Sequence, residues 1–188
     1  MREDPFVDRV ERIGRRILDP PLEIDRHAAL LYQVTVDNQL QVSVDPSMPK
    51  RGQSAFQTDL LVFERLSEKV RIPRVVLEFK TGLTTHDILT YTTKARKHKQ
   101  VYPYLRYGIL CSRDRVVPRR FFTHNEALDF CIAAGSVSDR NLSTVIGDLF
   151  EAEVEASRLM EDVAFGRIDA NVFRSEPTLR RRTRTRRQ

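Results

Sequence analysis

The sequence has few cysteines and no long apolar runs. Cys111 and Cys131 are its only cysteines and form no CxxC pair. This pattern fits a reducing cytosol and argues against both a disulfide framework and a thiolate zinc site. The longest apolar runs are about five residues, far short of the ~20 that a membrane-spanning helix needs. The first residues also lack the apolar core of a secretory signal. We therefore expect a cytoplasmic protein with no membrane partner.

Several catalytic and nucleotide-binding motifs are absent as well. The chain contains no Walker loop, no GxGxxG and no GxSxG, which excludes most nucleotide-binding and hydrolase functions. Its histidines, His27, His86, His98 and His124, show no HExxH or paired ligand spacing. We interpret them as ordinary histidines, with His124 at the N-terminus of a helix.

The net charge of +6 is concentrated at one end of the chain. Six arginines lie among the last nine residues: Arg180, Arg181, Arg182, Arg184, Arg186 and Arg187. Without them the rest of the chain is close to neutral. Such a run cannot fold alone and is usually solvated, although it can bind phosphate non-specifically. We predict one α/β domain over residues 1–170 and a basic, disordered tail over residues 171–188.

The apolar spacing predicts alternating helices and strands. Helical spacing covers 5–18, 22 to about 36, 85–102, 124–134 and 141–165, with Thr85 as the N-cap of the third helix. Strand patterns cover 39–44, 56–64, 74–80 and 104–111, and a short strand is expected after residue 115. This order predicts an α/β fold with a mixed central sheet flanked by helices and a long helix after it.

Three charged residues lie in otherwise apolar predicted strands: Asp59, Glu78 and Lys80. A buried charge is costly unless it is paired or binds a metal. Glu78 and Lys80 are two apart on one strand and share a face, and Asp59 can lie opposite Glu78 if the strands pair. Two carboxylates suit Mg²⁺, with Mn²⁺ as a substitute, and Lys80 would then orient or activate the attacking water. The alternative is a simple ion pair at a strand end.

This ordered set resembles the PD-(D/E)XK nuclease superfamily, which has the restriction-endonuclease-like fold. The resemblance covers roughly residues 20–111, and Asp59, Glu78 and Lys80 match the first acid, the second acid and the lysine of its motif. It implies a helix, a three-stranded meander that carries the acids, a second helix and a fourth strand.

Many members of the superfamily also use a glutamate from the helix before the sheet. The resemblance therefore suggests Glu23, with Glu11 as the fallback. Two departures exist, because Thr58 stands where the motif has proline and no Q-x-x-x-Y follows the triplet. The RecB-like subgroup is therefore not indicated.

Basic residues near the motif are candidates for nucleic-acid binding. Lys94 and Lys97 are three apart and share a helix face, and two tyrosines follow them, which suits a phosphate track. Lys50 and Arg51 lie in a loop before Asp59 and are a second candidate contact. The alternative is a solvated helix face.

The first functional hypothesis is a metal-dependent endonuclease that hydrolyses phosphodiester bonds, with DNA as the expected partner. An alternative is a non-catalytic nucleic-acid-binding or assembly protein that keeps the nuclease fold. A third is an α/β protein that interacts through the 141–165 helix, whose predicted apolar stripe includes Val145, Leu149, Leu159 and Val163. Core packing is the preferred role of that stripe, and pairing with a second subunit is the other. A homodimer would also suit an enzyme that cuts both strands.

Overall fold

The computed structural model describes residues 4–42, 44–52, 54–175 and 177–179. The arginine-rich run at 180–188 lies outside these residues, so the prediction of a disordered tail is not tested there. Residues 171–175 and 177–179 of the predicted tail are described and form no helix or strand. The elements, in chain order, are α1 (Asp4–Ile17), β1 (Leu22–Arg26), β2 (Ala29–Leu31), β3 (Ala55–Gln57), β4 (Leu60–Arg65), β5 (Arg71–Lys80), α2 (Thr85–Val101), β6 (Arg106–Cys111), α3 (Arg119–His124), β7 (Phe130–Ala133) and α4 (Asp139–Ala164). No helix within this part of the chain is long and apolar enough to cross a membrane.

A mixed five-stranded sheet forms the centre of the molecule, in the order β1-β4-β5-β6-β7. β1, β4 and β5 pair antiparallel, whereas β5, β6 and β7 pair parallel. Parallel neighbours need a crossover connection, and α2 supplies it between β5 and β6. The predicted α/β class, with helices around a mixed sheet and a long helix after it, is confirmed.

The two faces of β5 face different helices because side chains alternate along a strand. Leu77 and Phe79 pack with α1 and α4, where Val10 and Ile146 are fully buried. Val76 packs on the other face with Ile88 and other residues of α2. Glu78 follows the same alternation, so its side chain lies on the α2 face.

The segment predicted as a helix from residue 22 to about 36 is instead two strands. β1 pairs with β4 and completes the antiparallel side of the sheet, and β2 pairs with β3 in a separate two-stranded ribbon. Backbone pairing with these distant strands overrides the local helical spacing, since isolated helices of this length are marginal. The strand predicted at 39–44 is also wrong, because the described residues there form only one bridge, between Val36 and Val42.

The predicted strand at 56–64 is interrupted at Thr58 and Asp59, which separate β3 from β4. The interruption lets the chain leave the ribbon and enter the main sheet. The N-cap of α2 is also one residue earlier than predicted. Thr84 is the cap, and it forms a reciprocal capping box with Asp87, in which each side chain satisfies a backbone N–H.

Residues 115–134 have the reverse of the predicted order. The expected strand is the helix α3, and the expected helix is an irregular segment followed by the strand β7, so His124 ends a helix and does not begin one. β7 extends the sheet by pairing with β6. Gly108 makes this pairing possible, because a Cβ at that position would lie 2.2 Å from the ring of Phe130.

α4 covers one face of the sheet through a stripe that differs from the predicted one. Its buried apolar residues are Leu142, Ile146, Phe150 and Val154, whereas Leu159 is 55% exposed. A cluster of ion pairs, which we call the α4 ion cluster, continues the stripe; three of its four residues are buried and Arg158 is exposed. It consists of Glu64, Arg74, Arg158 and Glu161, with Arg74 bridging both glutamates at 2.8 and 2.6 Å.

Candidate active site

Asp59 and Glu78 come together where β4 and β5 begin to separate. Leu60 pairs with Leu77 in the antiparallel register, so the next residues along the two strands are Asp59 and Glu78. The Phe79 backbone N–H donates to Asp59 Oδ2 at 2.8 Å, and the two carboxyl groups are within hydrogen-bonding reach of each other. The two carboxyl groups therefore lie close together on the α2 face of the sheet.

Glu78 is almost completely enclosed, with only 2% of the residue exposed. The Tyr107 hydroxyl donates to its Oε1 at 2.5 Å, and Lys94 Nζ lies 3.8 Å from the same oxygen. Burial raises the pKa of Glu78 to about 8, because desolvation penalises the charged form. The Asp59 carboxylate raises that pKa further, whereas Lys94 and Tyr107 oppose the rise.

Lys80 lies at the more open end of the same face. Its Nζ is 5.5 Å from the centre of the Tyr91 ring, and it also hydrogen-bonds the Tyr91 side chain. Burial raises the pKa of Tyr91 to about 12, with a further contribution from Glu78, and Lys80 opposes this shift. Tyr91 therefore remains a neutral phenol that positions the Lys80 ammonium.

Glu23 is not part of this group. It lies on β1, opposite Phe63, four residues along β4 from Asp59, or about 13 Å at the usual rise of a strand. Its carboxylate binds Arg65 at 2.5 and 2.7 Å, and this bond lowers its pKa. The fallback, Glu11, pairs with Arg15 on α1. The helical position on which the Glu23 prediction depended does not exist.

A cleft of about 500 Å³ opens beside Asp59. Its walls include His27, Tyr32, Arg51, Phe56, Asp59 and Lys94. The β2–β3 ribbon supplies one wall and α2 supplies Lys94. The cleft therefore joins an acidic group, two cationic side chains and two aromatic rings in a single space.

The basic residues predicted to bind nucleic acid divide into two groups. Lys94 and Arg51 line the cleft, and Lys97 Nζ is 5.6 Å from the Tyr32 ring at its edge. Lys50 lines a separate cavity of about 180 Å³ in the same loop. Three of the four candidates thus surround one cleft.

Tyr107 and His98 were not predicted as residues of the site. Tyr107 reaches Glu78 only because β6 pairs parallel with β5, which no local pattern indicates. His98 was interpreted as ordinary, yet it is fully buried, and its Nδ1 lies 2.8 Å from the Leu31 carbonyl oxygen. His98 follows Tyr91 and Lys94 at helical spacing, so the three residues share one face of α2. This spacing could have indicated that His98 lies near the site.

Asp59 and Glu78 are the residues that could hold a metal. Within the described residues no group of three or more His, Cys, Asp or Glu side chains is placed to do so. Mg²⁺ is commonly bound by one or two carboxylates together with waters and substrate phosphate, so this pair is a sufficient donor set. A divalent cation would also offset the mutual repulsion of two adjacent carboxylates, one of them deeply buried.

No protein-family model matches this chain, and a search of curated proteins gives no match either.

Proposed function

We propose that this protein is a metal-dependent nuclease of the PD-(D/E)XK type, acting on phosphodiester bonds in DNA. The observation that carries the proposal is the adjacency of Asp59 to the buried Glu78, with Asp59 in the wall of a cleft that also contains cations. Paired acids suit a divalent metal, and the cations suit a polyanionic substrate.

Each side chain has a distinct role in this proposal. Asp59 and Glu78 would hold Mg²⁺, which supplies charge neutralisation and a more acidic bound water. Lys80, positioned by Tyr91, would orient the attacking water or stabilise the charge that develops on phosphorus-bound oxygens. Lys94 and Arg51, in the walls of the cleft, would bind the phosphates on either side of the reacting one.

A second candidate is a nucleic-acid-binding protein without catalysis. The ion pair between Lys94 and Glu78, at 3.8 Å, favours it. In this arrangement a lysine of the chain itself supplies the positive charge that a metal would otherwise provide. The cleft would still bind phosphate through Arg51 and Lys97.

Cleavage of plasmid and single-stranded DNA separates the two candidates. We expect Mg²⁺ or Mn²⁺ to support cleavage, EDTA to stop it, Asp59→Ala to abolish it and Lys80→Ala to reduce it by about 10²–10³-fold. Glu23→Ala is the matched control, because it removes a carboxylate from the same sheet but away from the pair.

Robust cleavage by purified Asp59→Ala protein would refute the proposed site. A loss of activity in Glu23→Ala equal to that in Asp59→Ala would also count against it. Salt-sensitive DNA binding that survives Asp59→Ala, with no cleavage in any metal, would establish the second candidate.

A further inference from the structure

Two aromatic rings of the β2–β3 ribbon stack face to face in the cleft. Tyr32 follows β2 and Phe56 lies in β3, and their ring centres are 3.9 Å apart with planes 16° from parallel. Both rings line the cleft and both are partly exposed. An aromatic pair that serves only packing is usually buried, whereas this one borders the space beside Asp59.

The stack is fixed in position relative to Asp59. The backbone N–H and the side-chain hydroxyl of Thr58 both donate to the Ala28 carbonyl, and the His27 N–H donates to the Asp59 carbonyl at 3.2 Å. On the inner side His98 packs edge-on against Phe56, with ring centres 5.8 Å apart. Hydrogen bonds thus hold the ribbon next to Asp59, and His98 supports it on the inner side, so the rings are preorganised for a ligand.

Cations surround the two rings. Lys94 Nζ lies 5.9 Å from the centre of Phe56 and Lys97 Nζ lies 5.6 Å from the centre of Tyr32, and Arg51 lines the same cleft. An aromatic platform bordered by basic side chains is the arrangement that single-strand binding proteins use, with bases on the rings and phosphates on the cations.

We propose that the Tyr32–Phe56 stack is a platform for a nucleobase of an unpaired strand, so that single-stranded nucleic acid is the preferred substrate. The proposal deepens the proposed function and rests on it for the cleavage step alone. In a duplex the faces of each base are covered by its neighbours, so only an unpaired base can stack on these rings. The volume of about 500 Å³ is within the ~300–1,000 Å³ typical of small-ligand sites.

Binding without cleavage tests the platform. The probes are a fluorescein-labelled single strand of mixed sequence and the same strand annealed to its complement, measured by anisotropy in EDTA with the Asp59→Asn protein as the parent. We expect the parent to prefer the single strand. Adding Tyr32→Leu, which keeps an apolar side chain without a ring, should weaken single-strand binding by about 5- to 150-fold.

Two matched variants control this result. Tyr32→Phe keeps the ring and should bind like the parent. Phe122→Leu removes an aromatic residue that is 57% exposed but does not line the cleft, and it should also bind like the parent. Duplex affinity, which depends on phosphate contacts, should be the same in all variants and also reports that each is folded.

The proposal is overturned if Tyr32→Leu binds the single strand as tightly as the parent, or if the parent prefers the duplex. Neither result bears on whether metal-dependent cleavage depends on Asp59, which is measured separately. Conversely, a preference for single strands that needs Tyr32 would stand even if no cleavage were found.

Discussion

Acidification should remove the stability that the neutral His98 side chain contributes to the folded protein. The imidazole is fully buried on α2, where its Nδ1–H donates to the Leu31 carbonyl at 2.8 Å. Nε2 has no hydrogen-bond partner among the described residues. Burial lowers the pKa of His98 to about 4, and the nearby Lys94 lowers it further, while the Leu31 carbonyl opposes the shift. A proton added to Nε2 would be enclosed without an acceptor.

The size of the effect follows from the two pKa values. The unfolded chain protonates His98 near 6.5 and the folded protein only near 4, so the unfolded state binds more protons in this interval. The contribution of His98 to the free energy of unfolding therefore falls as the pH falls from 6.5, and its loss is complete below 4. Glu78 contributes with the opposite sign, because its raised pKa adds stability as the pH falls from about 8. The full difference for His98 is about 3 kcal/mol, of which about 2 kcal/mol is lost between pH 7 and pH 5.

Urea unfolding of the unmodified protein and of the His98→Asn variant, each at pH 7 and at pH 5, measures the effect. The asparagine amide nitrogen can replace Nδ1 as the donor to Leu31 but does not titrate. Lys94 and Tyr107 face this position in both proteins, so their contributions cancel in the comparison. Glu78 contributes equally to both proteins, so the change in the free energy of unfolding from pH 7 to pH 5 should be about 2 kcal/mol less favourable in the unmodified protein than in the variant. Equal changes in the two proteins would refute the reasoning, because His98 would then accept a proton without cost.

Other predictions concern packing and buried charge, and both use urea unfolding. Gly108→Ala should cost about 1–3 kcal/mol because its methyl group overlaps the Phe130 ring. Gly147→Ala, in the interior of α4, should stabilise by up to ~1 kcal/mol, because its methyl group would make only an ordinary contact with Ile17 at 3.8 Å. Equal effects of the two would contradict this packing. Arg74→Met should cost about 3 kcal/mol, the lower end of the range for a broken buried pair, because it removes the central cation but leaves Glu64 paired with Arg158 and Glu161 paired with Arg167. The control Arg65→Met breaks a half-exposed pair and should cost at most about 1 kcal/mol; a loss as small for Arg74→Met would show that the cluster is dispensable.

The long helices and the central strands were predictable because their signals are local. The apolar runs that form β5 and β6, and the spacing that forms α1, α2 and α4, each extend over enough residues to determine an element. Errors fell on short segments. β1, β2 and β7 have between three and five residues, and their state depends on which distant strand satisfies their backbone groups.

The residues of the candidate site also divide into those indicated by local sequence and those brought in from distant segments. The sequence identified Asp59, Glu78 and Lys80 because a charge inside an apolar strand is unusual at any position in a fold. The family resemblance suggested Glu23 through an expected helix, and pairing of β1 with β4 moves that carboxylate away. The Tyr107 hydroxyl, the Lys94 ammonium and the aromatic stack join the site from other segments, at sequence separations that no periodicity spans.

By itself, the sequence determined the fold class and the shared face of Glu78 and Lys80, since a two-residue separation on a strand leaves no other arrangement. Only the tertiary structure decided what surrounds these residues. The antiparallel register puts Asp59 against Glu78, the parallel register of β6 brings Tyr107 to it, and the ribbon places Tyr32 and Phe56 across the cleft. The physical reason is that side-chain direction follows from the local backbone, whereas proximity depends on which segments bury their backbone hydrogen bonds together.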